Sequence, residues 1–227
     1  MGKATLKLVG EKDFFLQEAY KVLRSNLQFC GADVRVVSVT SCNENEGKTE
    51  VSLALGRSLA ELGKRVLVID ADMRKSVIAG RNADVKKPAG LSEVLSCQTD
   101  FDACIYSTQF GGLDILFAGK YPPNPVELLS AKAFETLLEE CRKRYDYVII
   151  DTPPLARVID AAVVAPLCDG TILLIADGSV RISTAQEVLS QLKMSGGKVL
   201  GVVRNNTGKK RKDHYGKKYA YRYAYTK

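Results

Sequence analysis

No apolar run in this 227-residue chain approaches the roughly 18 residues needed to span a membrane. The opening Met1-Gly2-Lys3-Ala4-Thr5-Leu6 has no apolar h-region, so no secretory signal is expected there. Six cysteines (Cys30, Cys42, Cys97, Cys104, Cys141 and Cys168) are scattered without a C-x-x-C pair. That spacing argues against a zinc site or a disulfide framework and predicts a reducing, cytoplasmic setting. The chain shows no internal repeat and no linker long enough to divide it. Apolar content of 46% and charged content of 26% are ordinary, and the length suffices for one α/β domain with a sizeable core.

The net charge of +7 is not spread over the chain. Residues 204–227 hold nine Lys/Arg and one Asp, which leaves residues 1–203 with a balance of −1. The body is neutral and the basicity is a tail, which should be drawn to acidic partners. The tail's KKRKDHYGKKYAYRYAYTK has no aliphatic residue larger than Ala, cannot bury a core, and is expected to be disordered. The boundary is therefore expected near residue 206, with 207–227 as a basic, tyrosine-rich segment. His214, within it, reads as solvated.

Residues 14–29 read as an amphipathic helix, because Leu16, Tyr20, Leu23 and Leu27 repeat at 4, 3, 4 spacing. Glu18, Lys21 and Arg24 follow a neighbouring stripe. Strand-like runs then alternate with helical ones. The strands are expected at Val34–Thr40, Arg65–Asp70, Leu113–Phe117, Tyr147–Asp151, Thr171–Ala176 and Lys198–Val203. Helices are expected near 48–63, 130–144, 157–168 and 181–195. Several strands are apolar almost throughout, which marks a mostly parallel sheet with helices on both faces.

The first of these strands runs into Ser41-Cys42-Asn43-Glu44-Asn45-Glu46-Gly47-Lys48-Thr49 and then a helix, close to the G-x-x-x-x-G-K-[ST] phosphate loop. In such a loop backbone N–H groups surround the phosphates, a glycine admits close backbone approach, the lysine supplies charge and the Thr hydroxyl reaches Mg²⁺. Cys42 replaces the first glycine of the general motif. Asn45 is the residue able to stand in for a glycine, since Asn tolerates left-handed backbone. Glu44, Glu46 and Glu50 add negative charge nearby.

Two further strands end in carboxylates, at Asp70-Ala71-Asp72-Met73-Arg74 and at Ile150-Asp151-Thr152-Pro153-Pro154. Ligands of open α/β sheets bind beyond the C-terminal strand ends, so Asp70, Asp72 and Asp151 should gather at the phosphate loop. There they can hold a metal or accept a proton, or they can simply cap the following helices. Arg74 either touches phosphate or pairs with an aspartate.

With these residues assembled, the sequence resembles the bacterial tyrosine kinases of capsule and exopolysaccharide assembly, a deviant-Walker group of P-loop ATPases. Glu46–Thr49, Asp70–Arg74 and Ile149–Asp151 match its Walker A, A′ and B motifs. Glu18-x-x-Lys21-x-x-Arg24 resembles its E-x-x-R-x-x-R oligomerisation motif. Pro122-Pro123-Asn124-Pro125-Val126-Glu127-Leu128-Leu129 resembles its P-P-N-P-x-E-L-L segment, and Tyr215, Tyr219, Tyr221, Tyr223 and Tyr225 its C-terminal tyrosine cluster. Glu44-Asn45 stands where the family has Pro-Gly, and Glu50 where it has Ser or Thr.

The resemblance implies ATP and Mg²⁺ as cofactors, with residues 43–50 (Asn43, Glu44, Asn45, Glu46, Gly47, Lys48, Thr49, Glu50) around the nucleotide. Lys48 would supply charge, Thr49, Asp72 and Asp151 would hold the metal, and Asp70 is the candidate base, with Asp70 and Asp72 able to exchange roles. Asn205 either contacts adenine or is a turn residue. The implied activity is autophosphorylation of the tail in trans within a ring-shaped homo-oligomer. The implied partners are a membrane adaptor of polysaccharide chain-length control and a cognate tyrosine phosphatase. Nucleic acid is not expected. Two other classes stay open: a partition or cell-division ATPase switch, although residues 41–46 lack that group's second Lys, and a non-catalytic nucleotide-binding scaffold.

Overall fold

The computed structural model describes residues 2–10, 13–81 and 88–206. Eight strands lie in one sheet: β1 (Gly2–Ala4), β2 (Val36–Ser41), β3 (Val66–Asp70), β4 (Ile105–Thr108), β5 (Leu113–Leu116), β6 (Tyr147–Asp151), β7 (Gly170–Ala176) and β8 (Val199–Asn205). Their order is β1-β4-β5-β3-β6-β2-β7-β8, and every pairing is parallel except β4 with β5. The central strands β2, β3 and β6 are buried nearly throughout, as uninterrupted runs such as VLVID require when helices cover both faces.

The helices are α1 (Phe14–Phe29), α2 (Lys48–Ala60), α3 (Ile78–Arg81), α4 (Leu91–Leu95), α5 (Pro125–Ser130), α6 (Lys132–Arg144), α7 (Asp160–Val164) and α8 (Ile182–Met194). Asp13 caps α1 by accepting from the N–H groups of Phe15 and Leu16. One sheet face packs Leu27 of α1 and Leu53, Leu55 and Leu59 of α2 against Val37, Val39, Val66, Val68 and Ile149. The other packs Phe134, Leu137, Leu138 and Cys141 of α6 against Leu67, Ile69, Val148 and Ile150.

The chain departs from its sequence pattern in several places. The helix expected near 130–144 is α6, and a further helix not expected from the pattern, α5, precedes it: Pro125 starts α5, and extended backbone at Ala131 (φ −73°, ψ 151°) separates the two. The helix expected to reach residue 63 stops at Ala60, with Gly63 in left-handed backbone closing the turn (φ 75°). The stretch near 157–168 is α7 followed by a short 3₁₀ turn, Ala165–Leu167. Strands β1 and β4, GKA and IYST, lack an apolar run that would mark them.

Candidate active site

The order β3-β6-β2 sets the C-terminal ends of three central strands side by side. Asp70 is in register with Asp151, and Val39 with Asp151, so both carboxylates and the start of the phosphate loop share one rim. The cleft above that rim is lined by Gly47, Lys48, Thr49, Asp72, Arg74 and Arg157 among others.

The loop's backbone takes the shape its residues permit. Asn45 is left-handed at φ 60°, the role expected of it, and Gly47 at φ 95° opens α2. A Cβ at position 47 would collide with the Asn205 amide, so only glycine fits there. Asn205, at the end of β8, donates from Nδ2 to the Glu46 carbonyl at 2.8 Å and so braces the loop from behind. The Glu46 side chain is 1% exposed. It accepts from the Asn43 N–H at 2.8 Å and the Ser179 hydroxyl at 2.7 Å, and neither Glu46 nor Asn43 lines the cleft. Its charge is tied into the fold, and what it can offer a nucleotide is backbone. Glu44 pairs with Lys75 at the surface (2.7 Å), and Glu50 accepts from the Val9 N–H (2.8 Å).

The charged core of the site is compact. Lys48 Nζ lies 3.3 Å from Asp72 Oδ2, and Thr49 Oγ1 donates to Asp151 Oδ2 at 2.6 Å. Ser52 adds a longer bond to Asp151 at 3.3 Å, and Ser76 donates to Asp70. Burial pushes the Asp70 carboxyl well above its ordinary range, and the neighbouring Asp151 charge pushes it further. Burial likewise raises Asp151 to about 6, against the pull of Lys48 and the Thr49 hydrogen bond. Of the two aspartates in the D-x-D strand end, Asp72 lines the cleft, whereas Asp70 sits behind it at 1% exposure.

Arg74 donates from Nε to both oxygens of Asp160, at 3.1 and 3.2 Å, which decides between its two readings for the structure as it stands. Arg24 is directed inward: its Nη1 donates to the Ser58 carbonyl of α2 at 2.7 Å, while Glu18 and Lys21 pair with each other at 2.7 Å on the surface. The tyrosines at 215, 219, 221, 223 and 225 lie outside the described residues. Sequence reasoning missed Ser52, Ser76, Asp160 and Arg157. Ser52 could have been found, since it stands three and four residues after Thr49 and Lys48 and so shares their helix face.

No group of three or more His, Cys, Asp or Glu among the described residues forms a metal cluster by itself. The donors present are a Thr hydroxyl and carboxylates. That hard-oxygen set, short of a full cage, fits Mg²⁺, which keeps waters and takes its remaining ligands from phosphate.

Comparison with known proteins agrees with this geometry. A family profile described as AAA domain matches residues 34–177. The tyrosine-protein kinase CpsD of Streptococcus pneumoniae serotype 4 is 40% identical over 204 residues, 88% of this chain and 90% of the relative. The chain belongs to the bacterial tyrosine-kinase family. The tyrosine-protein kinase YwqD of Bacillus subtilis is 35% identical over 87% of this chain and 83% of its own length. Among solved structures, the kinase domain of Escherichia coli tyrosine kinase ETK superposes with a TM-score of 0.81 at 31% identity, over 88% of this chain and 78% of that one. The chimerical protein CapA2B2 superposes at 0.82 with 27% identity, over 90% and 93%. The septum site-determining protein MinD of Pyrococcus horikoshii, complexed with Mg-ADP, superposes at 0.64 with 26% identity, over 77% and 71%. The P-loop α/β fold and the tyrosine-kinase class are thereby shown. The kinase has no helix among its described residues long and apolar enough to cross a membrane.

Proposed function

We propose that this kinase uses ATP and Mg²⁺ to phosphorylate the tyrosines at 215, 219, 221, 223 and 225 of a neighbouring copy, within a domain spanning 1–206. The observation that carries the reading is the pairing of half-buried Lys48 with Asp72 and of buried Thr49 with Asp151 at the mouth of a phosphate loop. A tyrosine hydroxyl ionises near pH 10, so transfer to it needs a base and cations around the phosphoryl group. Lys48 provides one positive charge. Thr49 and Asp151 would hold the metal, whose contribution when bound is further charge on the phosphate oxygens. Its place in the cleft wall favours Asp72 as the group that meets the tyrosine hydroxyl, with Asp70 behind it.

Self-association is supported by the outer side of α1. Phe15, Val22 and Phe29 are 71%, 59% and 85% exposed, and they stand seven residues apart on one stripe. Arg24, by contrast, is already committed to α2 and Glu18 to Lys21. The family resemblance adds a role in capsule or exopolysaccharide synthesis, a membrane adaptor that recruits and activates the kinase, and an opposing tyrosine phosphatase. The similarity to a chimerical protein, CapA2B2, is consistent with a two-component arrangement.

The test mixes two full-length chains with ATP and Mg²⁺: one active but with all five tail tyrosines changed to Phe, the other Lys48→Met with its tail intact. Mass spectrometry should find phosphate on the tail of the Lys48→Met chain. Phosphate on Ser or Thr alone, or only on Tyr20, Tyr145 or Tyr147, would overturn the tail assignment.

A further inference from the structure

Four cationic side chains line the cleft: Lys48, Arg74, Lys75 and Arg157. Three are committed within the protein. Lys48 faces Asp72 at 3.3 Å, Arg74 holds Asp160 at 3.1 Å, and Lys75 pairs with Glu44 at 2.7 Å. The Arg157 side chain makes no hydrogen bond or ion pair with any described residue, although it is exposed at the wall of a cleft rich in carboxylates.

The backbone that carries Arg157 is nonetheless fixed. The turn after β6 contains Pro153 and Pro154, whose rings fix φ. Thr40 donates its hydroxyl to the Pro153 carbonyl at 2.9 Å, and the Leu155 N–H donates to the Ser41 carbonyl at 2.9 Å. The Ala156 N–H reaches the Cys42 carbonyl at 3.2 Å, and the Arg157 N–H closes the turn on the Pro154 carbonyl at 3.1 Å. Three of these bonds join the turn to the entrance of the phosphate loop, so the base of the Arg157 side chain is held in register with that loop. The Glu44 carboxyl shows the proximity: it is held low chiefly by Lys75, and Arg157 and Lys48 both contribute to it.

The loop's own charge leaves room for a further cation. Residues 41–50 carry three glutamates and one lysine, whereas a magnesium-bound nucleoside triphosphate brings net negative charge. The turn also continues directly from Asp151, the partner of Thr49, which places it on the side where the metal and the terminal phosphate would sit.

We propose that Arg157 contacts the terminal phosphate of the bound nucleoside triphosphate, as a second cation beside Lys48. Its planar fork can meet two phosphate oxygens at once, which a lysine in its place cannot. Because the turn is already ordered, binding restricts only the side chain. This assignment rests on the nucleotide reading of the cleft.

Calorimetric titration of the full chain with Mg²⁺ and either a non-hydrolysable ATP analogue or ADP tests it, on wild type, Arg157→Ala, Arg157→Lys and Lys48→Met. Arg157→Ala should weaken the triphosphate analogue by about tenfold and ADP by less than about threefold, the scale of one charge-assisted contact. Arg157→Lys should recover part of the loss, with unchanged melting temperatures throughout. Equal affinities in Arg157→Ala and wild type, or equal losses for both nucleotides, would overturn the proposal while Lys48→Met still weakens binding. If Arg157→Ala does not fold, Arg157→Lys decides alone, and an unaltered preference for triphosphate over ADP overturns the assignment. A wild type that binds neither nucleotide would remove the nucleotide reading and Arg157 with it.

Discussion

At the N-terminal ends of the strands, Asp169 accepts from the N–H groups of Arg35 and Val36 at 2.8 and 2.7 Å, and from both Nη atoms of Arg142 at 2.8 Å each. At the C-terminal ends, along the same β2 and across to β3 and β6, Asp70 and Asp151 are more deeply buried and face other carboxylates. Burial acts on all three in the same direction. At Asp169 the Arg142 and backbone hydrogen bonds overcome it and hold the carboxyl below its ordinary range. At Asp70 and Asp151 burial wins, and both are raised. One rim uses a carboxylate to bind β2, β7 and α6 together. The other keeps its carboxylates hydrogen-bonded by Thr49, Ser52 and Ser76 yet raised by burial, a pattern that marks candidate functional sites.

The largest effect separating the rims should come from Lys48→Met. Removing the cation that faces Asp72 should lower tyrosine phosphorylation by at least about a hundredfold, several kcal/mol of transition-state stabilisation. Melting temperature should change little, since the lysine bridges groups that function rather than packing holds in place. A variant that labels tyrosine at near wild-type rate would remove the functional reading of the C-terminal rim.

Asp169→Ala is the counterpart. It strands two backbone N–H groups and the Arg142 guanidinium, and should cost roughly 2–4 kcal/mol. In a chain of this size that is a fall of roughly 5–15 °C in melting temperature. Nucleotide affinity, measured below the new transition, should stay within about twofold of wild type. A variant with unaltered stability but weakened binding would show that the two rims are not separate in role.

The C-terminal rim was legible in the sequence, and its opposite was not. Asp70, Asp72, Asp151 and Gly47–Thr49 follow buried strands directly, so local pattern alone places them on one edge. Asn45 could be read as left-handed from its chemistry, and it is. Partners separated by long stretches of chain left no such trace: Asp169 with Val36 at 133 residues, Arg74 with Asp160 at 86, Arg24 with Ser58 at 34. Glu46 shows the same limit from the other side. Its position in the loop reads as facing the nucleotide, but Ser179 and the Ala176 N–H turn its carboxylate inward. Strands β1 and β4 were invisible because GKA and IYST lack the apolar run that made the equally short β5, within LDILF, legible.

The smallest effect, and the most direct measure of the contrast, is in the pH dependence of stability. Asp151 has a folded value near 6 against an ordinary value of 3.8. Its contribution is therefore fully present below about 4 and is lost as pH rises through 6. Asp169 is shifted the other way, so its contribution is present above about 4 and is lost only below that. Between pH 7 and 5 the Asp169 clamp stays intact while the Asp151 penalty is relieved. Nucleotide-free protein should gain about 1–2 kcal/mol on acidification across this window, after which stability should fall as pH drops below 4. Asp70→Asn removes a second carboxyl that burial and the neighbouring Asp151 charge raise, so the stability of the variant should depend less on pH than that of wild type as pH rises. Urea unfolding at half-unit pH steps on wild type and Asp70→Asn reads both slopes. A wild type that loses stability steadily from pH 7 to 5 would mean that the C-terminal carboxylates are held low like Asp169 rather than raised by burial, and the contrast between the rims would collapse.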